Sequence, residues 1–136
     1  AFLCSRKYLR RRTLQPVSQG RIIFIGSVAA QLGGYSASAA YIGAKAAVMG
    51  YAKAFARESA HLGITANAIA PGLIDTDMLR STVSSSGALT AAAQAIPLGR
   101  IGTVDDVASA VSYLVSPAAA YLTGLVIDVN GGYRMQ

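Results

Sequence analysis

Hydrophobic residues along the chain form three short apolar runs, which predict β-strands. The runs cover residues 21–26 (RIIFIG), 64–71 (ITANAIAP) and 125–130 (LVIDVN). The first run is apolar on both faces, as is typical of a strand buried inside a parallel sheet. The second ends at a proline, which cannot donate a hydrogen bond to a neighbouring strand. We therefore expect three strands of one buried sheet.

Stretches rich in helix-forming residues separate the runs. Residues 1–12 lack a helix breaker before Pro16 and Gly20, and residues 39–62 lack proline before Gly63. Both are predicted helices, and Gly63 supplies the stop signal of the longer one.

The long helix is expected to have two packing sides. Lys53, Arg57 and Glu58 should face water. The small residues Ala44, Ala47, Gly50 and Ala54 would allow close approach to the sheet or to another helix.

A third helix is predicted after Thr103, whose hydroxyl can cap it, with Asp105 and Asp106 in the first turn. Its apolar stripe is expected to contain Val104, Val107, Val111 and Leu114, before Pro117. Residues 27–39 and 72–102 are predicted loops, and the second is of a length typical of functional lids.

This order of elements predicts the fold class. Strand, helix, strand, lid, helix, strand is the alternation of an α/β parallel sheet with right-handed crossovers. A chain of 136 residues is expected to be one domain, and 53% hydrophobic residues suffice for a core.

Composition narrows the function classes. Every apolar run falls short of the ~18–20 residues of a membrane helix, so we expect no membrane partner. Cys4 is the single cysteine and no Cys/His cluster has metal-ligand spacing, which favours a reducing, cytoplasmic setting and predicts no metal. His61, beside Gly63, is interpreted as a surface residue at a helix end rather than a catalytic one.

The net charge of +6 is local, because six of the twelve basic residues lie between Arg6 and Arg21. The run RKYLRRR at residues 6–12 is best interpreted as a solvated helix end. A phosphate-binding patch and an organelle-targeting segment are weaker alternatives, and we expect no nucleic-acid partner.

Polar side chains follow the first two predicted strands, where ligands bind in open parallel sheets. Ser27 comes directly after the first strand, and Tyr41 and Lys45 open the helix behind it. Pro71, Gly72 and Thr76 follow the second strand at the same edge: Pro71 closes it, and Gly72 and Thr76 come just after.

A serine, a tyrosine and a lysine at one edge can transfer a proton. A free phenol has a pKa near ~10, but a cation held close favours the phenolate. Of the two tyrosines in YSASAAYIGAK, Tyr41 has Lys45 one helical turn later, whereas Tyr35 has Ala39. Taken alone, the Tyr41–Lys45 spacing is better explained by a surface tyrosine packed over a lysine stem; the order of the surrounding segments is what favours the catalytic interpretation.

In combination these segments resemble the C-terminal half of a short-chain dehydrogenase/reductase. The resemblance is carried, in family order, by GRIIFIGS at 20–27, YIGAK at 41–45, GITANAIAPGLIDTDM at 63–78 and YLTGLVIDVNGG at 121–132. Within the family the chain is similar to the β-ketoacyl-ACP reductases. The resemblance implies a partial Rossmann-like doubly wound parallel sheet, with residues 1–136 forming the C-terminal part of a single NAD(P)-binding domain.

The resemblance also implies roles for these residues. Ser27 would bind the substrate oxygen, Tyr41 would be the acid/base, and Lys45 would favour the phenolate and hold the nicotinamide ribose. The nicotinamide would contact Pro71, Gly72 and Thr76, with the backbone near Ile74 adjacent. Tyr35 would line the substrate entrance or pack in its loop.

The chain departs from the family pattern in two ways. One residue more than expected lies between Ser27 and Tyr41. More severely, no segment has the spacing of the Gly-rich phosphate-binding turn, which GG at 33–34 and 131–132 cannot replace. The strand at 21–26 would then have a bare edge, and we expect the chain to be a fragment of a longer polypeptide.

The function predicted from the resemblance is hydride transfer between NADPH, or NADH, and a ketone or secondary alcohol, with a 3-oxoacyl thioester as a candidate substrate. NADP is slightly preferred by the resemblance, although the residues that select between the cofactors belong to the family's N-terminal half. A homodimer or homotetramer is expected of the full-length form. The alternative is a non-catalytic interaction module, inactive without the cofactor-binding half.

Overall fold

The secondary structure alternates between strands and helices, as expected. The computed structural model describes residues 1–34, 37–83 and 85–135, with no side chain for Ser86; the prediction for Tyr35 lies outside these residues. In chain order the elements are α1 (Phe2–Leu14), β1 (Gly20–Ile25), α2 (Val28–Leu32), α3 (Ala39–Ser59), a 3-10 turn (Ala60–Leu62), β2 (Ile64–Pro71), α4 (Asp77–Thr82), α5 (Ser86–Gln94), α6 (Val104–Val115), a second 3-10 turn (Pro117–Ala119) and β3 (Val126–Val129).

The three strands form one parallel sheet in the order β1-β2-β3. Ile22 lies opposite Ala66 in the first pair, and Ala68 opposite Val126 in the second. This confirms the predicted strands and the partial Rossmann-like α/β fold. Among the described residues β1 pairs with β2 alone, so its other side is an open edge, as expected.

Helices cover both faces of the sheet. On one face Phe55 and Ala56 of α3 pack over Phe24 and the alanines of β2, where Ala66 and Ala68 are completely buried. On the other face Leu114 of α6 packs against Ile69. The small side chains of β2 let α3 lie close to the sheet.

Two predicted loops contain helices. Helix α2 lies within residues 27–39, where Ser27 caps it and Gly33 closes it at φ +79°. Helices α4 and α5 lie within residues 72–102, and Thr76 and Ser85 cap them. The loop prediction was therefore wrong for the segments that these helices occupy.

Two packing predictions were also wrong in part. Val104 is exposed, although Leu114 is buried and Val107 and Val111 pack against it as expected. The four small residues expected to pack on the sheet are instead exposed, because the buried residues of α3 lie on the other side of the helix. The four are Ala44, Ala47, Gly50 and Ala54. Lys53, Arg57 and Glu58 are exposed as expected.

Helix α1 docks on α3 through Ser5, whose hydroxyl lies 2.8 Å from that of Tyr51. Its outer surface carries the basic residues, and two of their guanidinium groups lie over aromatic rings of the same helix. Arg6 is 5.5 Å from the ring centre of Phe2, and Arg12 is 5.2 Å from that of Tyr8. No helix in the described part of the chain is both long and apolar enough to cross a bilayer.

Candidate active site

Ser27 lies just beyond the carboxyl end of β1 and is 8% exposed. Its backbone is extended, and its hydroxyl oxygen accepts a hydrogen bond from the Ala29 N–H at 3.2 Å as the cap of α2. This contact uses a lone pair of the oxygen, so the hydroxyl can still donate to a ligand.

Tyr41 and Lys45 lie in the first two turns of α3. The hydroxyl of Ser38 caps this helix by accepting from the Tyr41 N–H at 3.2 Å. The Lys45 ammonium donates to the carbonyl of Ile25 at 3.0 Å and lies 5.7 Å from the centre of the Tyr41 ring. The ammonium therefore connects the tyrosine to the strand end that Ser27 follows.

Gly26 allows this approach of helix to strand. A Cβ here would lie 2.6 Å from the Met49 side chain of α3 and 3.2 Å from the Ile69 carbonyl, to which the Gly26 N–H donates at 2.7 Å. Sequence reasoning missed this role; the only signal was a glycine directly between the strand and the serine.

The second part of the site follows β2. Pro71 ends this strand, and the Gly72 N–H donates to the Val129 carbonyl at 2.9 Å. A Cβ on Gly72 would lie 2.8 Å from the Cα of Asn130, so any larger residue here would have to displace Asn130. Sequence reasoning also missed Asn130, which is 9% exposed.

Ile74 and Thr76 complete this turn. Ile74 forms a parallel bridge with Gly102, and the Thr76 hydroxyl both donates to the Ile74 carbonyl at 3.3 Å and accepts from the Leu79 N–H at 3.4 Å. The turn after β2 is thereby held at two points, at Val129 through Gly72 and at Gly102 through Ile74.

Charged pairs flank this turn on the surface. Arg80 donates two hydrogen bonds to the Asp75 carboxylate, at 2.8 and 2.9 Å, and holds the pKa of that carboxyl below its usual range. Arg100 likewise donates two hydrogen bonds to the Asp106 carboxylate at the start of α6 and holds the pKa of that carboxyl below its usual range. Both pairs are exposed to solvent: Asp75–Arg80 lies near the start of residues 72–102, and Arg100–Asp106 lies near their end.

Polar groups lie just after the ends of two neighbouring strands. The Lys45 ammonium and the Ser27 hydroxyl lie at the carboxyl end of β1, and the Thr76 hydroxyl follows β2, at the sheet edge where ligands bind in open parallel sheets. No three His, Cys, Asp or Glu side chains of the described ranges converge as metal ligands would.

Comparison with known proteins identifies the family. A family model described as enoyl-(acyl carrier protein) reductase matches residues 1–134. The chain is 44% identical over 124 residues to the 3-oxoacyl-[acyl-carrier-protein] reductase FabG of Vibrio cholerae, and the match covers 91% of the chain and 50% of FabG. It is 45% identical over 126 residues to the 3-oxoacyl-[acyl-carrier-protein] reductase MabA of Mycobacterium tuberculosis, covering 91% of the chain and 49% of MabA.

A solved structure of 4-hydroxyisoleucine dehydrogenase complexed with NADH superposes with a TM-score of 0.87 at 28% identity, covering 97% of the chain and 54% of that protein. The chain thus spans about half the length of the curated relatives that it matches. The family match, the parallel sheet and the order of Ser27, Tyr41 and Lys45 agree, and the chain belongs to the short-chain dehydrogenase/reductase family.

Proposed function

We propose that the chain supplies the catalytic residues of an NAD(P)-dependent oxidoreductase that reduces a ketone, with a 3-oxoacyl thioester as the favoured substrate. The observation that carries the proposal is the position of the Lys45 ammonium, between the Ile25 carbonyl at the end of β1 and the Tyr41 ring. The similarity to FabG and MabA supports the substrate class.

In this proposal Ser27 donates a hydrogen bond to the carbonyl oxygen of the substrate. Tyr41 donates its phenolic proton to the same oxygen as negative charge develops there, and Lys45 stabilises the resulting phenolate. The bonds from Lys45 to Ile25 and from Ala29 to Ser27 hold these groups before substrate arrives, so little reorganisation is needed.

The residues present fit one end of the cofactor. Lys45 would hold the nicotinamide ribose, and the turn of Pro71, Gly72, Ile74 and Thr76 would contact the nicotinamide. When bound, NADPH or NADH supplies the hydride. No residue is assigned to the adenosine and diphosphate, since the sequence lacks the Gly-rich turn that would bind them.

The test is a fusion of this chain behind the N-terminal half of V. cholerae FabG, assayed by nicotinamide absorbance with an acetoacetyl thioester. We expect turnover, and a loss of about 100-fold or more in kcat/KM for Tyr41→Phe, because general acid catalysis contributes that much. Tyr121→Phe is the matched control, since Tyr121 is fully exposed. Equal turnover after Tyr41→Phe would overturn the proposal.

Reduction of an enoyl thioester is the second candidate, favoured by the description of the matching family model. A crotonyl thioester in the same assay distinguishes the two, since it offers a C=C bond in place of the 3-keto group. If neither thioester is reduced and a Tyr41→Ala/Lys45→Ala variant keeps its biological activity, the chain is instead a non-catalytic interaction module.

Localisation in the cytoplasm remains a prediction, which the single, exposed Cys4 supports.

The full-length protein is proposed to be a homodimer or homotetramer. The exposed small residues of α3 support this, because they let the helix of a second copy approach closely. Ala47→Glu in the fusion should shift the sedimentation of the assembly toward the monomer. Lys53→Glu, on an exposed flank of α3, should leave it unchanged; equal behaviour of the two variants would argue against this face.

A further inference from the structure

Asp128 of β3 joins three separate parts of the chain. Its side chain lies on the face of the sheet that α3 covers, since Val126, two residues earlier, packs there. The carboxylate accepts from the Gln31 amide at 2.8 Å and from the Arg134 guanidinium at 3.2 Å. With Arg134 and Asp128 side chains 23% and 19% exposed, this is the least exposed of the three ion pairs in the described ranges.

Gln31 lies in α2, the short helix that begins at Ser27. Five residues are too few for a helix that is stable by itself, so tertiary contacts must hold α2 in place. The bond to Asp128 spans 97 positions of sequence. The bond also orients the amide, because a carboxylate only accepts. The amide oxygen of Gln31 is then buried with no hydrogen-bond partner among the residues that the structure describes.

The residues after Asp128 contact the other parts of the site. Asn130 lies against Gly72, where a Cβ would come within 2.8 Å of its Cα. The Gly131 carbonyl accepts from the Leu98 N–H at 3.1 Å, near the end of the segment formed by residues 72–102. The Asn130 amide donates to the Arg134 carbonyl at 3.1 Å and so holds the backbone of Arg134 near the end of β3.

We propose that Gln31, Asp128 and Arg134 are positioning residues that hold α2, and with it Ser27, in register with the turn after β2. The inference rests on the proposed function, because the role of Ser27 is to hydrogen-bond the substrate oxygen. These three side chains act through Ser27 and are not assigned any contact with the reacting atoms.

The first test uses the 136-residue chain and does not depend on activity. Gln31→Met keeps the length of the side chain, removes the donor and leaves the Asp128–Arg134 pair intact. Amide hydrogen exchange in residues 29–33 should become about tenfold faster or more, since this contact limits local opening, while exchange in β2 stays unchanged. Exchange within twofold of the parent chain would overturn the proposal.

The second test measures kcat and KM separately in the fusion with the FabG half. Gln31→Met should lower kcat on the order of tenfold, because small displacements of a positioned group are costly, with little change in KM, since charge develops on the substrate oxygen only in the transition state. Gln31→Lys, which can still donate to Asp128, should restore kcat. Asp105→Asn, at an exposed carboxylate of α6, is the control.

Pairing variants separates positioning from general damage. If both side chains act through one bond, Gln31→Met/Asp128→Ala should have a kcat no lower than the worse single variant. Additive losses, or a kcat for Gln31→Met equal to that of the active parent fusion, would overturn the positioning role. A parent fusion without activity contradicts the proposed function instead, and the exchange experiment still decides whether Gln31 holds α2.

Discussion

At the scale of single residues, close contacts of glycine decide how the site is assembled. Gly26 lets α3 approach the end of β1, and Gly72 lets the turn after β2 pass Asn130. A Cβ on Gly72 would collide with the backbone Cα of Asn130, which cannot rotate aside as a side chain can. Gly26 directly follows β1 and Gly72 directly follows β2, so the two contacts lie at the strand ends that the proposed site residues follow.

Gly72→Ala is expected to lower the free energy of unfolding by about 1–3 kcal/mol, as overpacking typically does. The added methyl would need to displace Asn130, whose Cα would lie 2.8 Å away. Gly87→Ala in α5 is the matched control, because nothing lies within 4 Å of its Cβ position. The control should gain up to about 1 kcal/mol from helix propensity, measured by urea unfolding; equal effects at both glycines would contradict the contact.

At the scale of secondary structure, the start of α6 shows how several weak signals combine. Thr103 and Asp106 form a capping box, as the sequence led us to expect for Thr103. Arg100 adds two hydrogen bonds to the Asp106 carboxylate, at 2.7 and 2.8 Å. Together with the Thr103 N–H, these donors hold the pKa of Asp106 well below its usual range.

This pKa predicts a pH dependence of stability. A carboxyl whose pKa is depressed by folding stabilises the folded state above its unfolded pKa, near ~3.9, and loses that contribution as the pH falls toward the folded value. The melting temperature of Asp106→Asn should therefore lie below that of the parent at pH ~7 and approach it below pH ~4. A gap for Asp106→Asn that persists in acid would contradict the linkage.

Secondary structure also shows how far the sequence predicts the fold. The three strands and α3 could be predicted because each combines an apolar pattern with a glycine or proline stop. Helices α2 and α4 span only five and six residues, which is too short for a 3.6-residue period to emerge, so they were predicted as loops. Their caps, Ser27 and Thr76, were instead noticed as candidate site residues.

The site was predictable only where its residues are close in sequence or follow strand ends. Tyr41 and Lys45 are one turn apart, and their shared helix face follows from that spacing. The contacts of Gln31 with Asp128 and of Gly72 with Asn130 join distant segments. They depend on how the strands are ordered in space, which a pattern along one chain does not specify.

At the scale of the whole molecule, β1 has one paired side and one side that no other described strand pairs with. The Gly20 N–H donates to the Gly63 carbonyl at 3.0 Å and the Gly26 N–H to the Ile69 carbonyl at 2.7 Å. Since alternate residues of a parallel strand bond to the same neighbour, the N–H groups of Ile22 and Phe24 also face β2. The Ile23 N–H then points to the open edge.

Hydrogen exchange should show this alternation directly. In the 136-residue chain at low concentration, the Ile23 amide should exchange much faster than those of Ile22 and Phe24, although all three belong to one strand. In the fusion with the FabG half, a neighbouring strand can accept from Ile23, and its protection should rise toward that of Phe24. Protection of Ile23 in the chain alone that grows with concentration would mean that a second copy pairs with the edge, which is the usual fate of an uncovered strand.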